Sequence, residues 1–429
     1  MRRLFGVNPQ VLALALARMA ESVGNSFLII VLPLFIASEF VTGSTFGLTE
    51  VAITGVILSI FGFVNSPLQP FTGRLSDRVG KRKIFVLIGL VLIAIAGVAY
   101  SFASAYWHLL GIRVFQGVAG ALIIPTTVAL VNDLATDENR GGNMGTYNTF
   151  RLVGFGVGPV GAGVVVAGGP YTLPFGPLSA TISGFDAAFY FAASTAVLSF
   201  FLVLLTIRDP PDLEPRDPNR EESAIRVFDR DGDRLLDPVF TLGIVAFFMA
   251  VGIALFATLG DPVNERLNQG STMFGLQFAA FVLAQIFLQA PIGRATDFYG
   301  RKPFIVVGTI LLVPTTLAQG FILDSWLMFS ARFMQGVAGA MVFAPGLALA
   351  GDLARKGESG ATLSVLTMAF GFGVAFGPLI SGFLYEFGFA VPFIFGAFLA
   401  AIGAVLVQTQ VDEVLALGEM RRTAADADD

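Results

Sequence analysis

The segment Gly73-Arg74-Leu75-Ser76-Asp77-Arg78-Val79-Gly80-Lys81-Arg82-Lys83 is written again as Gly293-Arg294-Ala295-Thr296-Asp297-Phe298-Tyr299-Gly300-Arg301-Lys302-Pro303, an offset of 220 residues. Arg113-Val114-Phe115-Gln116-Gly117-Val118-Ala119-Gly120-Ala121 recurs as Arg332-Phe333-Met334-Gln335-Gly336-Val337-Ala338-Gly339-Ala340. Asp133 recurs as Asp352 and Gly158-Pro159 as Gly377-Pro378, all at an offset of 219. Landmarks held in one order at one spacing mark an internal duplication. Each copy of the first segment sets glycines, an aspartate and a cluster of Lys and Arg between two long apolar runs. That is the composition of a short aqueous turn between helices that cross a bilayer.

The rest of the chain agrees with that reading. Of its 429 residues, 55% are hydrophobic and only 13% charged, where soluble chains carry about 25% charged residues. There is no Cys and a single His, which excludes disulfides, thiolate metal sites, iron–sulfur clusters and His-based metal clusters. A net charge of −5 argues against nucleic acid as a partner. The partners expected are a lipid bilayer and a small molecule, acting on a monomer.

A membrane span needs about 20 mostly apolar residues. Such runs occur at 11–38, 48–70, 84–104, 107–131, 143–167, 185–207, 239–260, 272–292, 304–323, 325–350, 361–384 and 387–409. They are continuous rather than alternating, which rules against a membrane β-barrel. The expected fold is therefore all-α and polytopic, with twelve transmembrane helices in two pseudo-symmetric six-helix bundles. Residues 1–207 form the first bundle, 208–238 a linker, 239–410 the second bundle and 411–429 a tail. The linker is rich in Asp, Glu, Arg and Pro and cannot bury a core. Its Asp229-Arg230-Asp231-Gly232-Asp233 run puts Gly fourth, where a calcium loop needs it sixth, so it reads as a solvated acidic connection.

Basic residues orient the bundle. Of the 26 Lys and Arg, all but five fall on the side of the amino terminus; Arg266 lies opposite, and Arg18, Arg113, Arg151 and Arg332 lie inside spans. Both termini are therefore expected in the cytoplasm. The opening Met1-Arg2-Arg3 precedes an apolar run broken by Arg18 and Glu21, so the first span is read as a membrane helix and not a signal peptide.

These features resemble the major facilitator superfamily over nearly the whole chain. The loop at Gly73 is similar to that family's Gly-x-Leu-x-Asp-Arg-x-Gly-Arg-Arg/Lys signature, with Lys81 and Arg82 at the basic positions. The fourth span carries its Arg-x-x-Gln-Gly pattern as Arg113, Gln116 and Gly117. The fifth carries Gly154, Gly158, Pro159, Ala162 and Gly163, close to the Gly-x-x-x-Gly-Pro-x-x-Gly-Gly pattern of the family's proton-coupled drug exporters; Ala162 departs from it. The resemblance implies two parallel six-helix repeats and alternating access. It also implies that Gly73, Asp77, Arg78, Gly80 and Arg82, with Gly293, Asp297, Gly300 and Arg301 in the second copy, form gates on the cytoplasmic side. There Asp77 would pair with a nearby base and face a helix of the other half, in contacts that break on opening.

The first span is the least ordinary. Arg18, Glu21, Ser22 and Asn25 follow helical spacing and share one face. Each charge at bilayer depth costs about 2.5–3.5 kcal/mol on insertion scales, so these groups must face one another or an internal cavity. Glu21 is the acid set deep within a span. Changing hydration and the nearness of Arg18 or Arg113 would change its hold on a proton as the cavity opens and closes. It is thus the candidate proton-coupling group, with Arg113 biasing it; the alternative is a static Arg18–Glu21 pair that only makes the helix insertable.

Arg113 stays charged at any working pH, so it can bias a carboxylate or hold an anion but not carry the proton. Candidate substrate contacts are Arg18, Asn25, Gln116, Tyr147 and Arg151 in the first half, and Gln277 and Gln285 in the second. Gln289 shares the face of Gln285, while Phe247, Phe248, Met249, Met368 and Phe370 offer an apolar wall. A cavity charged on one wall and aromatic on the other suits an amphipathic small molecule. Gly158-Pro159 and Gly377-Pro378 are read as sites of close packing and helix bending.

No Gly-x-x-x-x-Gly-Lys-Ser/Thr occurs, so ATP is not expected to be used. The usual hydrolase signatures are missing too, and neither catalysis nor a cofactor beyond protons is expected. The reading is a secondary transporter exporting a small organic compound against protons. An exchanger or importer of organic anions is the alternative within transport, and a membrane receptor or membrane-embedded enzyme the alternative outside it.

Overall fold

A computed structural model describes residues 8–45, 47–134, 140–175, 178–209, 227–228, 234–353 and 359–413. The acidic run at 229–233, most of the 208–238 connection and the tail from 414 lie outside the described residues. The first half comprises α1 (Pro9–Ile36), α2 (Glu50–Val79), α3 (Arg82–Ala99), α4 (Tyr106–Asp133), α5 (Arg140–Gly168) and α6 (Gly184–Thr206). A hairpin of β1 (Tyr171–Phe175) and β2 (Leu178–Ile182) stands between α5 and α6. The second half comprises α7 (Pro238–Ala254), a short α8 (Gly260–Leu267), α9 (Ser271–Tyr299), α10 (Lys302–Gln319), α11 (Ser325–Leu353), α12 (Ser359–Leu384) and α13 (Val391–Gln410). Twelve helices among the described residues are long and apolar enough to cross a membrane.

The helices begin where the chain supplies acceptors for their unpaired first N–H groups. Asn8 Oδ1 accepts from Gln10 N at 3.0 Å ahead of Pro9, Thr49 Oγ1 accepts from Ala52 N, and Asp237 Oδ1 accepts from Val239 N at 2.8 Å. Ser183 and Asp186 bond reciprocally at the start of α6. α2 stops at Gly80, whose φ of 65° suits a residue without a side chain. The starts of α3 and α10 are secured alike in both halves. Lys83 N donates to Asp209 Oδ1 at 2.9 Å and Lys83 Nζ to the Leu204 carbonyl at 2.8 Å. Lys302 N donates to Glu413 Oε2 at 2.7 Å and Lys302 Nζ to the Gln408 carbonyl at 3.1 Å.

Two departures from the hydropathy reading have one cause. α2 and α9 run on to Val79 and Tyr299, well past the apolar runs that end at 70 and 292, because a helix does not stop where the bilayer does. The hairpin and α8 were not legible either, being connections too short to show a sustained period.

Within the first half, α1 packs on α5 and α6, α4 on α2 and α3, and α3 on α6; α7 to α13 repeat the plan. The halves meet along two seams, α2 with α12 and α5 with α9. These seams are related by the duplication. Gly55 lies against the Pro378 carbonyl and Gly275 against the Pro159 carbonyl; Gly62 meets Ala375 and Gly156 meets Val282. Glycine at these places lets backbones approach within van der Waals contact.

The cores show which end is shut. One cluster draws on both halves, including Phe27, Leu32 and Phe189 with Phe256, Phe274, Met328 and Phe393. It lies at the face away from the basic loops, where Thr49 also donates to Glu386 Oε1 at 3.0 Å and Ser271 to the Gly163 carbonyl at 3.1 Å. Toward the basic face the core divides into Val11, Leu14, Leu90, Leu130 and Val203 in one half and Leu242, Ile305, Leu349 and Val407 in the other. Methyl groups placed on Gly145 and Gly293, which continue the α5–α9 seam, would meet no atom within 4 Å. The molecule is closed at the far face and parted at the basic face.

Candidate functional site

The cleft between the halves ends at a plug of Leu152 and Phe155 from α5 with Ile253, Phe281, Val282 and Ile286 from α7 and α9. The charged group of α1 lies beside it. Arg18 Nη1 meets Glu21 Oε2 at 2.5 Å, and both side chains are nearly fully buried. Glu21 is the buried carboxylate among the described residues. α1 can present these groups only because α5 is thin at the crossing: Gly154 abuts the Met19 carbonyl, and Gly158 the Val23 carbonyl and Ser26 Oγ. Asn25 is half-buried one turn further on.

From α5, Arg151 Nε and Nη2 donate to Asn148 Oδ1 at 3.0 and 2.9 Å. Arg18, Glu21 and Tyr147 all lie within electrostatic reach of this guanidinium. Tyr147 donates to Thr127 Oγ1 at 2.8 Å and is buried. Glu21 is thus bonded to Arg18, while Arg151 nearby is held by a neutral amide.

Other residues singled out in the sequence are placed elsewhere. Arg113 Nη1 donates to Gln116 Oε1 at 3.3 Å, and the same oxygen accepts from Tyr100 at 2.8 Å, so both side chains turn into the first bundle. Glu21 takes Arg18 as its partner and not Arg113. Gln277 is fully buried near the far face, bonded reciprocally to Gln269 at 2.8 and 3.0 Å and to the Ser325 carbonyl at 3.0 Å. Gln285 is half-buried, and its amide lies beside Gly339. Its counterpart Asn65, one repeat earlier, lies beside Gly120 in the same way and accepts from Gln69 at 2.9 Å. Asn65 and Gln69 were overlooked; subtracting the repeat offset from Gln285 and Gln289 finds them.

The apolar wall is aromatic. Phe63 lies 4.7 Å from Phe376, Phe247 lies 5.8 Å from Phe376, Phe343 lies 4.7 Å from Phe370, and Phe155 faces Phe278 across the seam at 6.1 Å, centroid to centroid. Met249 is buried in the second bundle, whereas Met368 is exposed.

At the basic face, Arg82 Nη1 pairs with Asp77 Oδ1 at 2.6 Å and Arg82 Nε with Asp133. The second copy pairs Arg301 with Asp352, and Arg301 Nη1 also donates to the Ala348 carbonyl at 3.2 Å. Asp133 and Asp352, noticed only as repeated landmarks, are thus the anchors that tie each loop to the end of α4 or α11. Arg78 is exposed, Gly73 lies near Pro125, and Gly293 has open space beside it. Gly300 has a φ of 88° and lies against Glu413. The Asp297 side chain lies outside the described residues. Pro159 and Pro378 sit inside unbroken helices, and the carbonyl of each lies against a glycine of the opposite half.

Duplicated six-helix bundles with a buried charged group beside a cleft open at one face define a polytopic membrane transporter. A family model described as the Major Facilitator Superfamily matches residues 14–260 and 242–413, and the chain belongs to that superfamily. Among curated relatives, the quinolone resistance protein NorA of Staphylococcus aureus (strain COL) is 23% identical over 94% of this chain and 97% of its own length. The uncharacterized MFS-type transporter MJ1560 of Methanocaldococcus jannaschii is 28% identical over 41% of this chain and 46% of its own. Among solved structures, a bacterial homologue of the human lysosomal transporter Spinster, in an inward-facing and unoccupied conformation, superposes with a TM-score of 0.70 at 15% identity, covering 93% of this chain and 94% of that one. The human organic anion transporter MFSD10 superposes with a TM-score of 0.65 at 19% identity, covering 93% and 100%.

Proposed function

We propose that this chain is a secondary transporter of the cell membrane that exports a small organic compound in exchange for protons, with Glu21 as the coupling group. The observation that carries the reading is Glu21 itself: a buried carboxylate, bonded to Arg18, where α1 crosses α5 next to the plug between the halves. A carboxylate there responds to the nearness of Arg18 and Arg151 and to hydration, and both change when the halves rock. The basic face is taken as cytoplasmic from the distribution of Lys and Arg, which makes the present conformation inward-facing, with both termini in the cytoplasm.

In this reading Glu21 and the half-buried Arg151 and Asn25 offer polar contacts, and Phe155, Phe278 and Phe281 an apolar surface. Substrate enters from the cytoplasm, the basic face closes over it, and the far seams part. A proton arriving on Glu21 from outside then competes with the substrate and releases it. The loops around Asp77–Arg82–Asp133 and Arg301–Asp352 pair within their own halves and stay paired while the basic face is parted, so in this reading they brace the two sides of the gate and do not latch it. Neither ATP nor a bound cofactor enters the cycle. Similarity to a quinolone resistance protein makes a quinolone the first compound to test.

Arg151, paired among the described residues with the neutral amide of Asn148, favours a second reading: import or exchange of a small organic anion. The two readings differ in the sign of proton linkage. An exporter's substrate expels the proton from Glu21, whereas an anion that recruits Arg18 leaves Glu21 to take a proton up. A thermal-shift screen of purified protein identifies a ligand, because binding to the folded state alone raises its stability. Calorimetry in buffers of different ionisation enthalpy then counts protons. Release on binding is the result expected for export; uptake would replace it with the anion reading.

A further inference from the structure

Arg332 of α11 is fully buried and pairs with no carboxylate among the described residues. Its Nη1 donates to Gln335 Oε1 at 2.5 Å, with a longer contact of 3.4 Å to the Ile253 carbonyl. Nε and Nη2 have no partner among the described residues. The guanidinium is closed in by rings instead, with its carbon 4.5 Å from the centroid of Phe256, 5.3 Å from Phe281 and 5.6 Å from Phe278. Ring faces attract a cation, but they accept no ordinary hydrogen bond from its edge. Arg113, its repeat counterpart, likewise donates Nη1 to the glutamine three residues on and leaves Nε without a partner among the described residues, but Arg332 leaves Nη2 unpartnered as well; Arg18 is held by Glu21 and Arg151 by Asn148.

Two of the rings around Arg332 are also the wall between the halves. Phe278 faces Phe155 of α5, and Phe281 packs with Leu152, Phe155 and Val282 in the plug at the end of the cleft. One ring therefore separates a guanidinium with two free nitrogens from the α5–α9 seam. When that seam parts, as alternating access requires, the N-terminal half withdraws its support from Phe278 and Phe281.

We propose that Arg332 is a concealed oxyanion-binding point on the transport path, exposed when the far face opens and able to take a carboxylate through Nε and Nη2. A guanidinium presents such a pair of donors side by side, in the spacing of a carboxylate's oxygens. The proposal rests on the alternating-access reading and adds a ligand chemistry and a conformational condition to it. The point is shut while the basic face is open and serves an acidic group only in the opposite state.

The chain has no cysteine, so an introduced one reports without background. A side chain at Gly275 would strike the Pro159 carbonyl, so Gly275→Leu should wedge the α5–α9 seam apart, and Val282→Cys, buried at that seam, reports the opening. The full-length Val282→Cys protein, with and without the wedge, is treated with N-ethylmaleimide to label the introduced thiol and with phenylglyoxal to label arginine. Peptides are mapped by mass spectrometry. The expected result is that Arg332 and the thiol resist labelling without the wedge and react with it, and that benzoate slows Arg332 modification severalfold while neutral benzamide does not. If the thiol reacts but Arg332 does not, or if benzoate and benzamide act alike, the oxyanion point is refuted and alternating access stands. If the thiol also stays unreactive, the seam does not part and both fall. Labelling acts on the intact arginine, so the result does not depend on a folded Arg332 variant; Arg332→Lys, if it folds, should lose the benzoate effect in thermal shift.

Discussion

Arg18 and Glu21 form the pair on which the coupling proposal turns, and their energetics are asymmetric. Removing one partner of a buried ion pair strands the other, at a cost of about 3–5 kcal/mol. Arg18→Ala should therefore lower the melting temperature far more than Glu21→Gln, which leaves a neutral group able to keep a hydrogen bond to Arg18; thermal denaturation in detergent measures both. Negligible shifts in both variants would mean that the pair is not buried as described. The i, i+3 spacing made this pair legible in the sequence, because local geometry follows from the helix alone. The same spacing joined Arg113 to Gln116, but it could not say that Tyr100 would draw both into the first bundle. Nor could it foresee the Gln277–Gln269 pair or the rings around Arg332, which come from helices that only folding brings together.

At the scale of helices, the duplication was the most informative feature of the chain, because a contact in one half implies its counterpart in the other. Gly55 and Gly275 both lie against a proline carbonyl across a seam, so Gly55→Leu and Gly275→Leu should open the far face to a similar degree. Alkylation of single cysteines placed at the buried Ala375 and Val282 reads each opening; an effect confined to one seam would contradict the equivalence. Close packing of α1 on α5 gives a second expectation. Gly158→Leu must displace the Val23 carbonyl and Ser26, and overpacking of this kind costs about 1–3 kcal/mol, seen as a lowered melting temperature. A third concerns the caps: Glu413→Ala removes the acceptor for Lys302 N and should cost about 1 kcal/mol, with Asp209→Ala matching it in the first half. The twelve spans themselves were legible because a bilayer imposes length and hydropathy together. The ends of α2 and α9 were not, since beyond the bilayer helix termination depends on turn residues and on neighbours such as Asp133 and Asp352.

For the molecule as a whole, the division of the core is the main observation. One apolar cluster spans both halves at the far face and two separate ones serve the basic face, which is the packing the proposed alternating access requires of one end-state. The opposite state should bring Gly293 toward Gly145, extending the seam already formed by Gly275 and Gly156. In a chain without native cysteine, Gly145→Cys with Gly293→Cys should crosslink only when the far face is open. The claim that binds residue, helix and molecule together is that Glu21 carries the proton exchanged for substrate. The direct measurement is made in proteoliposomes containing a pH-sensitive dye, with a ligand found by thermal shift added as a gradient, for the wild type and Glu21→Gln. The account predicts that wild-type protein moves protons against the substrate, and that Glu21→Gln still exchanges substrate for substrate but moves no protons. Proton movement by Glu21→Gln equal to that of the wild type would contradict it.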